Sequence, residues 1–302
     1  MPSEIRLVCP NCHGSLDWQP EQIVCVKCSS AFSYRDGFAD LIVGGRFDDE
    51  VIESRSEYET SSNDHLARNY LLPTFRRRLA DIERPKILSL GCGIGVDVEL
   101  LTEEGWDIAG IDNGNRTKEW PKRRHCERLY LANGKRLPFD DKTFDLVYCG
   151  CVFPHVGVEG DTNRVRPDYW SERSQIAGEM ARVLKPGGSI MVSSPNRLFP
   201  LDLFHGRDET HPFPRLNPPN SPFLLSASDY RKMFGQFGCS SFELLPVDGY
   251  WGFLRKQGSW KGRLVTWPVR QVFSLVSKDR FKTLRGSAIN PWLVLMGRKT
   301  SV

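Results

Sequence analysis

Between Lys86 and Arg298 the chain repeats one pattern, a short β-rich run, a turn and then a helical stretch. The runs KILSL, WDIAGID, RLYLA, FDLVYCG, SIMVSS, FELLPV and WLVLMG are bounded by turn residues. The first five alternate with helical stretches, and a strand that returns through a helix pairs with a parallel neighbour. The pattern predicts an α/β fold, a doubly wound Rossmann-like sheet of seven strands with helices on both faces. One helix is expected over Trp170 to Leu184, ended by KPGG. Another is expected in SASDYRKMFGQFG, with Ser226 as N-cap and Asp229 in capping-box spacing.

With 302 residues the chain has room for about two domains, and no internal repeat interrupts it. Composition shifts divide it into a cysteine-bearing segment over 1–47, a polar linker and leading helix over 48–84, and the alternating region over 85–302. No apolar run approaches the roughly 18 residues that span a bilayer. MPSEIRLVCPNC has neither the charged nor the apolar part of an export signal, so a cytoplasmic location is expected. Nine cysteines then read as metal ligands and buried thiols rather than a disulfide framework.

The glycines of ILSLGCGIGVDVELL, residues 87–101, mark a ligand loop between a strand and a helix. A phosphate loop would close on Gly-Lys-Ser/Thr, whereas this turn continues Val96, Asp97, Val98. The dinucleotide fingerprint would place its third glycine at 96, where Val96 stands. Asp112 ends the second strand about 20 residues on, where an acid can accept hydrogen bonds from ribose hydroxyls. Two further stretches, ANGKRLPFDDKTFDLVYCGCVFPHV and EMARVLKPGGSIMVSSPN, follow in order. Together these motifs resemble class I S-adenosylmethionine-dependent methyltransferases, in the broad group that includes the quinone-biosynthesis C-methyltransferases.

The resemblance implies S-adenosylmethionine as cofactor. Gly91, Cys92, Gly93 and Gly95 would supply backbone toward its methionine and ribose parts, Asp112 would hold the ribose and Asn113 would flank the adenine. Asn133, where the family usually has Asp, would face the adenine amine with a carbonyl instead of a charge, beside Gly134. Cys149 and Gly150 would lie beside the sulfonium. Asp97 reads as a first-turn acid favoured by the helix dipole rather than as a contact for the methionine amine.

Cys9, Cys12, Cys25 and Cys28 form a C-x2-C-x12-C-x2-C array, which suits a closed, structural zinc site. Residues 5–43 also resemble a small zinc-ribbon family that activates eukaryotic tRNA and release-factor methyltransferases and occurs fused to bacterial ones. Charges in this segment are mixed, so its expected job is packing rather than phosphate binding.

Methyl transfer from a sulfonium is an in-line displacement that alignment and water exclusion can drive. A base is needed only where the acceptor must lose a proton. The candidate is His155, at the family's usual histidine position, with His205 and His211 in the long loop after the fifth strand; Pro154 replaces an acid common in the family. The Asn/Asp-Pro-Pro-aromatic signature of amino-methyltransferases is absent after the fourth strand, where Cys149-Gly150-Cys151-Val152 stands.

Charge is concentrated at 251–286, where nine cations face only Asp279 although the whole chain carries +4. Trp251, Trp260 and Trp267 interleave with them, and Val269, Val272, Phe273 and Val276 recur at helical spacing. A basic amphipathic helix of this kind reads as a peripheral contact with a membrane's cytoplasmic face, with nucleic acid as the second choice. The function expected is O-methylation of a small or lipid-linked biosynthetic intermediate. The rival reading is an RNA (tRNA or rRNA) or protein methyltransferase that docks through the ribbon and the basic region. A degenerate binding module is the third, disfavoured by the intact glycines and Asp112.

Overall fold

The computed structural model describes residues 4–44, 53–160, 162–202, 215–218, 220–250 and 260–300. His205, His211, Trp251, Arg255 and Lys256 lie outside them, as do the side chains of Trp260, Lys261 and Arg263.

Four short strands come first: β1 (Leu16–Trp18), β2 (Gln22–Cys25), β3 (Ala31–Arg35) and β4 (Phe38–Asp40), each antiparallel to the next. Helix α1 (Glu53–Leu66) runs through a π-helical turn, Ala67–Leu71, into α2 (Leu72–Arg78). The alternating region supplies β5 (Lys86–Leu90), α3 (Val96–Glu103), β6 (Asp107–Asp112), β7 (Leu129–Leu131), β8 (Phe144–Gly150), α4 (Tyr169–Val183) and β9 (Leu184–Pro195). The pair β10 (Leu201–Asp202) and β11 (Arg215–Leu216) follows, then α5 (Ala227–Gly235), β12 (Cys239–Leu244), α6 (Trp260–Ser277) and β13 (Trp292–Lys299).

The main sheet runs β1-β2-β3-β4-β7-β6-β5-β8-β9-β13-β12, parallel from β4 to β9, with β13 antiparallel to both its neighbours. The seven expected strands are β7, β6, β5, β8, β9, β13 and β12, and the four N-terminal strands join their edge to make a sheet of eleven. Strand β7 would otherwise end the sheet with unpaired backbone groups. Instead β4 pairs with it, Ala39 opposite Tyr130 and Asp40 opposite Leu131, and Leu41 N–H donates to Leu131 O at 2.7 Å.

Successive residues on the central strands point to opposite faces, so each strand feeds two cores. On one face Leu88, Val147 and Val192 pack under Ile176 and Met180 of α4 and Tyr230 and Phe234 of α5. On the other, Ile87, Leu146 and Met191 pack under Phe75 of α2, Leu101 of α3 and Phe273 of α6. The α5 capping box forms as expected, Ser226 N–H donating to Asp229 Oδ2 at 2.7 Å and Asp229 N–H to Ser226 Oγ at 3.3 Å.

The expected stop at KPGG is different in detail. Helix α4 ends at Val183, and Lys185 to Gly188 already lie within β9 as an irregularity, where the pairing jumps from Phe144–Leu184 to Leu146–Ser189. Gly187 takes φ 77°, and a Cβ on Gly188 would lie 2.9 Å from Lys185 O, so both glycines serve the strand's detour. The expected strand FELLPV begins earlier, at Cys239.

Candidate functional site

The glycine loop leaves β5 and enters α3 at the carboxyl end of the parallel strands, where doubly wound sheets place their ligands. Gly91, Gly93 and Gly95 all have positive φ, 76°, 55° and 77°. The three glycines differ in what a side chain would meet. A Cβ on Gly91 would sit 2.1 Å from Val152 Cγ2, and one on Gly95 would sit 2.7 Å from Leu129 Cδ1, so those two are spent on packing. Gly93 would meet only Arg116 Cδ, at 3.6 Å, and is the open part of the loop. The Cys92 thiol is buried and burial pushes its pKa up, so only its backbone can serve a ligand.

Asp112, at the tip of β6, binds this loop directly. Its Oδ2 accepts from Gly93 N–H and its Oδ1 from Gly114 N–H, both at 2.8 Å. The carboxylate is half-buried. Asn113, Asn133 and Gly134 are half-buried as well. Asn133 Oδ1 accepts from Lys135 N–H at 3.0 Å, an Asx turn that sets its orientation and leaves a second lone pair. Arg116 is held from above by Glu59 of α1, at 3.1 Å, so the leading helix reaches the glycine loop. From the other side Trp120 Nε1–H donates to Gly93 O at 2.8 Å, and Phe38 of β4 packs edge-on against Trp120 with ring centroids 5.2 Å apart. This arrangement fits an adenosyl ligand: an open glycine, a fixed carboxylate and two lateral supports.

Asp97 is buried beneath the loop, where Ser89 Oγ donates to its Oδ2 at 2.7 Å and Tyr148 OH donates to the same oxygen. It faces two strands' hydroxyls, which a first-turn dipole reading did not foresee. Burial raises its pKa. A carboxyl whose folded pKa lies above its unfolded value lends stability at low pH that is lost as pH rises through the folded pKa. Asp97→Asn keeps an acceptor without the charge. We expect that variant to melt higher than wild type at neutral pH, with the gap closing as pH falls in a series of thermal melts.

On the acceptor side, Cys149 turns its thiol into the core and burial pushes its pKa up, so its part is limited to backbone. Gly150 is exposed, and a Cβ there would stand 3.7 Å from both Ser193 Oγ and Tyr250 OH. These two hydroxyls hydrogen-bond to each other and are buried. Nothing in the local sequence marks the pair, which arises only when β9 and the segment after β12 meet. Val152 covers Gly91, and the 3-10 turn Phe153–His155 starts immediately after it. His155 is half-buried, edge-on to Phe223 with ring centroids 6.0 Å apart.

Arg173 of α4 fixes that turn. Its guanidinium, only 1% exposed, donates to the carbonyls of Pro154 (3.2 Å) and Val156 (3.1 Å) on either side of His155, and to those of Pro222 (2.8 Å) and Phe223 (3.0 Å). Desolvation lowers its pKa to about 10, and four carbonyls satisfy its donors. Arg173→Met should cost about 3 kcal/mol and lower the melting midpoint by roughly 5–10 °C, because the carbonyls stay buried without donors. Calorimetric melting of the two proteins checks this.

The four cysteines converge at the β1–β2 edge of the sheet. All four sulfurs lie within 4.8 Å of one another, with Cys9 to Cys28 at 3.7 Å and Cys12 to Cys25 at 3.5 Å. A tetrahedral ion with Zn–S of about 2.3 Å sets S···S near about 3.8 Å, so the separations fit. The two pairs have matching turns: His13 N–H donates to Cys9 O and Ser29 N–H to Cys25 O, with φ 54° and 57° at His13 and Ser29. Hydrogen bonds from Ser30 lower the Cys28 pKa to about 6, favouring thiolate. Gly14 is needed here, since a Cβ would stand 2.7 Å from Lys27 Cβ and 3.2 Å from Cys25 Sγ.

Residues 88–192 match the family of the methyltransferase domain. A probable S-adenosylmethionine-dependent methyltransferase of Mycolicibacterium smegmatis is 29% identical over 131 residues, covering 40% of this chain and 45% of that protein. The sterol 24-C-methyltransferase erg6 of Schizosaccharomyces pombe is 27% identical over 152 residues, 44% of this chain and 36% of its own. The ubiquinone biosynthesis O-methyltransferase of Aliivibrio fischeri is 27% identical over 124 residues, 37% and 44%. The chain spans less than half the length of each of these relatives. The matched span contains the glycine loop, Asp112 and Gly150, so the similarity to the methyltransferase domain family falls on the residues of the candidate site.

Proposed function

We propose that the protein transfers a methyl group from S-adenosylmethionine to a small or lipid-linked acceptor, with oxygen the favoured atom. The observation that carries this is the join between Asp112 and the glycine loop, which fixes a ribose-binding carboxylate beside the open Gly93. Relatives named for sterol and ubiquinone-biosynthesis methylation support a small or lipid-linked acceptor. Sequence after β8 supports it too, since the amino-methyltransferase signature is missing there.

S-adenosylmethionine supplies an electrophilic methyl on a sulfonium whose leaving group is a neutral thioether. The chain's work is then alignment and exclusion of water, which can be worth about 7–11 kcal/mol. Asp112, Asn113 and Asn133 would hold the adenosine, the backbone of Gly91, Cys92, Gly93 and Gly95 the rest, and the exposed edge of Gly150 would leave the path to the acceptor open. Where an acceptor hydroxyl must lose its proton, His155 is the group we assign to take it, its turn held by Arg173. Cys9, Cys12, Cys25 and Cys28 would hold one structural zinc and keep β1 to β4 on the edge of the sheet.

The test is transfer of labelled methyl from S-adenosylmethionine into fractionated cell extract. Label should enter the organic-soluble or small-molecule fraction and depend on His155 if oxygen is the acceptor. Label in RNA or protein would establish the rival reading instead.

A further inference from the structure

Eight large hydrophobic side chains are exposed among the described residues, and five of them lie between 198 and 289: Leu198, Leu216, Trp267, Leu275 and Ile289. Three are gathered around one buried asparagine. Asn196 follows β9 at the carboxyl end of the sheet, and its Nδ2 donates to Ser287 O and Asn290 O, both at 2.8 Å. Its Oδ1 accepts from Leu198 N–H, and Asn217 Nδ2 donates to Arg197 O and Phe199 O. Leu198, Leu216 and Ile289 are thereby fixed on one rim, 38%, 79% and 48% exposed, against rigid buried anchors. Exposed aliphatics held this firmly suit an interaction site.

A short, net positive stretch precedes Ile289 in the chain. Lys278, Arg280 and Lys282 are exposed on the turn after α6, while Asp279, the acid among them, pairs with Arg285 at 3.3 Å. Arg285 itself is not part of this strip, contrary to the sequence expectation. It is buried and donates to the carbonyls of Val276, Ser277 and Leu244, tying α6 to β12. Seven residues separate Lys282 from Ile289, so the strip and the rim lie at most about 25 Å apart. On α6, Phe273 and Val276 face the core, while Trp267 (61% exposed) and Ser274 lie on the opposite, solvent side at helical spacing, and Lys278 follows directly after the helix.

We propose that this rim and strip form a docking surface for an anionic membrane, with Leu216 and Ile289 entering the headgroup region, Trp267 at its boundary and Lys278, Arg280 and Lys282 on the lipid phosphates. Aliphatics plus cations suit a bilayer interface, whereas a nucleic acid would leave Leu216 and Ile289 without a partner. The rim stands at the end of β9 and the start of β13, the same end of the sheet as Gly150, so docking would turn the acceptor side toward lipid. That orientation rests on the methyltransferase reading; the surface itself does not.

The experiment is flotation of the full chain with phosphatidylcholine vesicles that do or do not contain phosphatidylglycerol, at low and high salt. Wild type should float with the anionic vesicles at low salt and be released by salt. The triple variant Lys278→Glu, Arg280→Glu, Lys282→Glu should bind about a hundredfold more weakly, and Leu216→Ser with Ile289→Ser roughly tenfold more weakly. All these residues are exposed, and S-adenosylmethionine binding, measured by calorimetry on the same samples, should not change. Wild type that stays unbound at low salt overturns the proposal, as does binding indifferent to both variants or competed away by RNA. Calorimetry keeps the two readings apart: cofactor binding without flotation removes the membrane surface alone, and flotation without cofactor binding removes the enzyme assignment alone.

Discussion

Asp112→Ala should weaken S-adenosylmethionine binding by about 2–3 kcal/mol, roughly a hundredfold. The carboxylate performs two tasks that alanine cannot. It would accept from the ribose, in charge-assisted bonds that are about twice as strong as neutral ones. Its Oδ1 and Oδ2 also accept from Gly114 and Gly93 N–H at 2.8 Å, which sets the loop before a ligand arrives. Asp112→Asn separates the tasks. One carbonyl oxygen can satisfy a loop N–H but supplies no charge, so its loss should fall between wild type and alanine. Titration calorimetry of the three proteins reads the order directly, and equal affinities for all three would remove Asp112 from the site.

Cys25→Ser should release one equivalent of zinc and lower cofactor affinity about tenfold or more, although Cys25 lies on β2, three strands out from β7. A structural zinc contributes folding energy outright, so losing a ligand should unravel β1 to β4. The effect then travels through packing. Strand β4 pairs with β7, Phe38 packs on Trp120, and Trp120 donates to Gly93 O. Without β4, the edge of β7 is bare and Trp120 loses its ring partner, so the glycine loop is less firmly placed. Phe38→Ala should retain zinc while losing part of the same affinity, since an aromatic pair is worth about 0.5–1.5 kcal/mol. Elemental analysis, limited proteolysis and calorimetry on the three proteins check the chain of effects. A metal-free protein with unchanged protease resistance and unchanged cofactor binding would contradict it.

What the sequence made legible is what local chemistry dictates. Strand-turn-helix alternation placed β5, β6 and β8 within a residue or two, and Ser226 with Asp229 set the start of α5, because periodicity and caps are local signals. The cysteine spacing was legible for the same reason: two C-x2-C turns need nothing from the rest of the chain. The pairing of β4 with β7 was not, since Ala39 and Tyr130 are 91 positions apart and a three-residue strand such as FAD carries almost no pattern. Arg285, read as one of the cations of 251–286, failed in the same way, and Arg173 carried no signal in the sequence. An arginine reads as solvated charge until the fold surrounds it with carbonyls, four in the case of Arg173. In the site, Gly91, Gly93 and Gly95 were read as one loop with one purpose. Only the packing against Val152 and Leu129 shows that two of them serve the protein's own interior and leave Gly93 open.

Titration calorimetry of S-adenosylmethionine into the folded protein, followed by displacement with S-adenosylhomocysteine, tests the cofactor assignment. Binding of one equivalent that the product competes away is the predicted result. No saturable heat for either compound, from protein whose melting curve shows it folded, would contradict the account.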